Sequence, residues 1–108
     1  MRGTLAQVVP TANTDTVIFT ATVNCSYAEI DIFVTNPNAS NDATIKVAIS
    51  ADGTASANEY IENGAKVAAL GGGHEIISRK ISPGDRVIVN TNQSDTVFRV
   101  EGSEEVLY

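Results

Sequence analysis

Apolar and polar residues alternate with a period of two along most of the chain, the spacing of strands with one buried and one solvated face. In residues 16–23, Val17, Phe19, Ala21 and Val23 share a face. In residues 26–35, Ala28, Ile30, Ile32 and Val34 share one, with Glu29 and Asp31 opposite. In residues 43–50, Ile45, Val47 and Ile49 face inward, and Thr44, Lys46 and Ser50 outward. Residues 85–91 set Val87 and Val89 against Arg86, Ile88 and Asn90. In residues 96–101, Val97 and Arg99 alternate with Phe98 and Val100, and either pair can be the inner one. β-branched residues dominate all five stretches, as a pleated, half-buried surface favours. The expected core is Val17, Phe19, Ile30, Ile32, Ile45, Val47, Ile49, Val87 and Val89.

Turn chemistry separates the strands. A polar loop, Asn36-Pro37-Asn38-Ala39-Ser40-Asn41-Asp42, follows the second stretch, and its proline favours an extended Asn36. Ser82-Pro83-Gly84-Asp85 has the residues of a type II turn. Asn92-Gln93-Ser94-Asp95 suits a hairpin loop, and Gly71-Gly72-Gly73 a flexible connection. Weaker strands fit residues 5–9, 65–70 and 74–80, for seven or eight in all. Ser56-Ala57-Asn58-Glu59 matches a capping box, so a short helical turn is expected over residues 56–61, with Asn63-Gly64 stopping the chain. The alternative is a loop leading into a strand at residues 60–62. Strands at this spacing, with no long helical pattern, predict a single all-β domain over residues 1–108. Its expected architecture is an antiparallel β-sandwich, jelly-roll or Ig-like, with short N-terminal and C-terminal extensions.

Composition narrows the partners. The chain has 108 residues, for which folded-surface scaling gives roughly 5,700 Å² of exposed area and one modest core. At 43% hydrophobic residues it is too apolar for disorder, and no apolar run reaches membrane-spanning length. The net charge of −6, with dispersed basic residues, argues against nucleic acid and anionic membrane as partners. Cys25 alone cannot form an internal disulfide, and the first residues lack a signal-peptide pattern, so a reducing compartment is expected.

Catalytic chemistry finds no constellation. His74 is the one possible imidazole base, and it reads as an exposed loop residue after three glycines. Cys25 has no activating neighbour in sequence and reads as a structural thiol. Glu29 and Asp31 share a strand face and read as solvated carboxylates rather than a hydrolytic or calcium pair. Ser50-Ala51-Asp52-Gly53-Thr54 lacks the ligand spacing of a calcium loop and reads as a turn. No enzyme activity, cofactor or metal is expected. Sugar platforms need exposed aromatics, and six aromatic side chains, with Phe19 assigned to the core, disfavour a carbohydrate-binding role.

The order of motifs carries a resemblance. Leu5-Ala6-Gln7-Val8 leads to Asn13-Thr14-Asp15-Thr16-Val17-Ile18-Phe19, then to a strand ending in Val34-Thr35-Asn36. Ala43 to Ser50, Glu59-Tyr60-Ile61-Glu62, Ile81-Ser82-Pro83-Gly84-Asp85-Arg86-Val87 and Val97 to Gly102 follow. Across residues 4–102 the chain resembles the small all-β structural proteins of tailed-bacteriophage virions. Where those proteins often carry a Pro-Ala-Gly-like turn, this chain has Asn24-Cys25-Ser26-Tyr27. The resemblance implies a virion protein assembled in the host cytoplasm. Its expected role is capsid cement, with the major capsid protein or other virion proteins as partners and a homo-oligomer, a trimer in particular. A tail, baseplate or fibre-associated component is the alternative. Val106, Leu107 and Tyr108, with Leu5 near the other end, are the expected interface residues.

Overall fold

The computed structural model describes residues 3–23 and 25–106, Cys25 and Val106 by their backbone alone. Eight strands form: β1 (Gly3–Val8), β2 (Thr16–Thr20), β3 (Cys25–Asn36), β4 (Ala43–Ser50), β5 (Tyr60–Val67), β6 (Gly72–Ile81), β7 (Arg86–Thr91) and β8 (Val97–Val106). They make two four-stranded sheets, ordered β1-β8-β3-β6 and β2-β7-β4-β5. Every pairing is antiparallel. β1 pairs with β8, β2 with β7, β3 with β6 and β4 with β5. The chain is thus one long hairpin folded at the β4–β5 connection. Rolling it up brings β8 against β3 and β7 against β4. That order is a jelly roll, and it excludes the Ig-like alternative.

The core lies between the sheets. Ile30, Ile32, Ile45, Val47, Val87, Val89, Phe98 and Val100 are all buried. Each such side chain contributes about 1.5–3 kcal/mol by leaving water. Phe98 and Val100 settle the inner face of β8. The accessible surface is 5785 Å².

Three expected core positions differ, two of them beside irregularities in a ladder. In β2, Val17 faces Ile88 while Phe19 faces Val87, so Ile18 is the extra residue of a bulge. Ile18 turns inward, Phe19 is half-buried and Val17 is 45% exposed. In β4, Ile49 is half-buried near the strand end, while Ala48 is buried on the outer face beside Ile88. There Arg86 Nη1 donates to the Ala51 carbonyl at 2.9 Å, tying the β4–β5 connection to that face.

The expected short helical turn is present as a single 3-10 turn, Ala57–Glu59, in which Glu59 Oε1 accepts the Ser56 N–H at 2.8 Å. Other expectations are corrected. A strand begins at once with Tyr60, and Asn63-Gly64 does not stop it. Gly64 is the unpaired residue of a bulge, because Ile45 faces Ala65 while Lys46 faces Asn63. The ladder offered by β4 overrides the local turn signal. The Asn92–Asp95 segment is no hairpin loop, since β7 and β8 belong to different sheets. Residues 103–106 are no extension either: they continue β8, pairing Ser103 with Glu29 and Val106 with Cys25. The expected turn at residues 82–85 is present. Asp85 N–H donates to the Ser82 carbonyl at 3.0 Å, and Gly84 takes the φ of 83° that a type II turn requires.

Candidate docking site at the loop end

Both described chain ends lie at one end of the sandwich, and four connections lie at the other: residues 9–15, 37–42, 68–71 and 92–96. Asparagines knit three of them together. Asn36, fully buried at the end of β3, donates from Nδ2 to the carbonyls of Asn41 at 2.9 Å and Val67 at 3.0 Å. Its Oδ1 accepts the Asn38 N–H at 3.1 Å. Asn38 Oδ1 in turn accepts the N–H groups of Ser40 and Asn41, and its Nδ2 reaches Asp95 Oδ2 at 3.3 Å. Asp42 Oδ1 accepts the Ala69 N–H, and Asn92 Oδ1 the Thr44 N–H. Short side chains that bond to nearby backbone suit such turns.

This scaffold holds Leu70 outward. Leu70 has a φ of 64°, a region that crowds its Cβ against the following carbonyl and costs about 1–2 kcal/mol. Two backbone hydrogen bonds impose it, Leu70 N–H to the Asn38 carbonyl at 2.7 Å and Gly71 N–H to the Asn36 carbonyl at 2.8 Å. The side chain is 79% exposed. The backbone is fixed in a strained conformation that presents an exposed apolar side chain from a polar loop surface. At the same loop end, Asp95 Oδ1 is buried without a hydrogen-bond partner among the described residues.

The expected site residues fall elsewhere. Leu5 is the extra residue of a bulge in β1 and packs half-buried against the core. Leu107, Tyr108 and the side chain of Val106 lie outside the described residues, as do Asn24 and the Cys25 side chain in the departure from the resembled pattern. His74 is not a loop residue. It sits half-buried in β6, with Nε2 3.0 Å from Glu62 Oε1 of β5, joining the edges of the two sheets. Gly72 and Gly73 open the same strand rather than a loose connection. Asp31 Oδ1 accepts the Ser78 N–H at 2.8 Å, where β6 bulges. Asp52 organises the turn foreseen for it. Hydrogen bonds from Ser50 Oγ at 2.7 Å and the Thr54 N–H at 3.0 Å hold its carboxyl below the ordinary value of 3.8. No cluster of three or more metal-ligating side chains occurs among the described residues.

Leu70 stands out in the sequence only as a leucine directly before a glycine triplet. Comparison with protein-family models, with curated proteins and with solved structures finds no match for this chain.

Proposed function

We propose that this protein is a structural component of a tailed-phage virion, a capsid cement protein that binds the outer shell and stabilises it. The observation that carries the reading is Leu70, held exposed at positive φ by a hydrogen-bonded loop end. A preorganised anchor loses little entropy on docking. The motif order across residues 4–102 supports the virion assignment. The net charge of −6 suits an outer surface, since packaged DNA would repel it. A ligand that binds only the assembled shell stabilises that shell by mass action. A homo-oligomer, a trimer in particular, belongs to the same reading.

Quantitative mass spectrometry of purified virions, with electron microscopy of the labelled protein on the particle, tests it. Many copies spread over the shell support the cement role. A few copies confined to the tail or baseplate replace it with the tail-component reading. Absence from purified virions overturns both.

A further inference from the structure

A shallow groove of about 290 Å³ lies on the outer face of the β1-β8-β3 part of the first sheet, lined by Gln7, Phe33, Thr35, Val97, Arg99 and Glu101. Phe33 points away from the core, at a position level with Arg99 on β8. Val97 lies opposite Thr35, and Gln7 opposite Arg99. The Arg99 guanidinium is fixed by Glu101, with Nε 2.7 Å from Oε2, and by Thr4, to which Nη2 donates at 2.8 Å. These contacts draw its charge toward the β1 edge, beside the apolar floor of Phe33 and Val97.

The chemistry of the groove excludes most ligand classes. β8 and β3 are interior strands with their backbone groups already paired, so an extended peptide could join only along the β1 edge, beside the groove and not across Phe33. A nucleic acid stacking on Phe33 would need a positive groove, and Glu101 neutralises the arginine within an acidic protein. The same pairing leaves little net attraction for a simple anion or cation. The groove is too open to enclose an apolar ligand. What fits is an uncharged molecule with an apolar face for the phenyl ring and hydroxyl groups around its rim. The two contacts above use two of the five N–H groups of Arg99, and Gln7, Thr35 and Glu101 add donors and acceptors.

We propose that this face binds a neutral saccharide, one ring stacking on Phe33 with its hydroxyl groups bonded to Gln7, Arg99 and Glu101. The site lies on the outer face of the first sheet and reaches the loop end at Thr35 and Val97.

The test is two-dimensional NMR of the isotopically labelled full chain, titrated with maltohexaose, cellohexaose, xylohexaose and chitohexaose, with sialyllactose as a charged comparison. The expected result is saturable shifts at residues 7, 33, 35, 97, 99 and 101 with at least one neutral sugar, at affinities on the order of millimolar. Phe33→Ala weakens that binding at least about tenfold, and Glu101→Gln weakens it too, with both variants melting as the parent does. Lack of shifts with every neutral sugar, shifts elsewhere, binding of sialyllactose alone, or full binding by Phe33→Ala would each overturn the proposal. Phe33→Leu, which keeps an apolar floor without the ring, guards against misfolding of the alanine variant and should also bind weakly.

Discussion

The backbone of Gly102 lies against the carbonyl of Glu29 with no room for a side chain between them. Gly102 stands within β8 at a φ of 152°, opposite Ile30 on one side and Gly3 on the other. A Cβ built there would overlap the Glu29 carbonyl oxygen and stand 3.0 Å from both the Glu29 carbonyl carbon and the Ile30 Cα. All of these are backbone atoms, which cannot swing aside. Gly102→Ala therefore combines overpacking, about 1–3 kcal/mol, with a strained backbone conformation of similar cost. Urea denaturation should show a loss of at least about 2 kcal/mol. A smaller loss would mean that β8 can slide away from β3.

The register of the core is tested by a pair of substitutions. Ile32 is fully buried between the sheets, and Ile32→Ala should cost about 2–5 kcal/mol. Val17 is 45% exposed beside the β2 bulge, and Val17→Ala should cost less than about 1 kcal/mol. Equal losses would place Val17 in the core and remove the bulge.

These two positions also mark how much of the fold was legible in the sequence. β3 alternates without a break against β8 from Tyr27 to Thr35, and its inner residues Ala28, Ile30, Ile32 and Val34 could be read from spacing alone. Val17 could not, because a bulge shifts the parity of every residue beyond it. Whether a bulge forms depends on the partner strand, here Ile88 and Val87, far along the chain. The polar loop after Asn36 was visible for the same local reason as any Pro-Asn-Ser segment. Its role was not, because Asn36 bonds to Val67 and the loop carbonyls meet Leu70 and Gly71 only after folding. Phe19 could not be placed by spacing, since the β2 bulge decides its face, whereas the unbroken alternation of β3 sets Phe33 on the face opposite Ile32 and Val34.

The loop end should depend on Asn36. Asn36→Ala removes the donors to the Asn41 and Val67 carbonyls, and a buried carbonyl left unpaired costs about 1–3 kcal/mol. Thermal melts should show a clear loss, with Asn36→Asp failing to rescue it because a carboxylate cannot donate. Rescue by aspartate would show that the Asn38 N–H contact alone maintains the loop.

Asp52 predicts a pH dependence of small, directional kind. Its folded pKa lies below the ordinary 3.8, chiefly through the Ser50 hydrogen bond and then that of Thr54. A depressed folded pKa contributes stability that is fully present above the unfolded value and lost as pH falls through the folded one. The parent should therefore exceed Asp52→Asn in stability near neutral pH, and the gap should close below about pH 4. A gap that persists or widens in acid would contradict this.

Leu70 separates a structural role from a docking one. Its φ of 64° is a conformation that glycine adopts without steric cost. Leu70→Gly therefore relieves about 1–2 kcal/mol of strain while adding about 0.4–1 kcal/mol of chain entropy to the unfolded state. The side chain is 79% exposed, so little packing is lost. The variant should melt at the parent temperature or slightly above it. If Leu70 fills a pocket on a shell subunit, the variant forfeits about 1.5–3 kcal/mol of burial there, a fall in affinity of roughly 10- to 100-fold. Binding of parent and variant to shells stripped of the protein measures both quantities on one pair of samples. Lower binding at unchanged or raised stability identifies the leucine as an anchor held at the expense of the fold. Full binding by the glycine variant would move the docking surface away from the loop end, and a lower melting temperature would make Leu70 a packing residue instead.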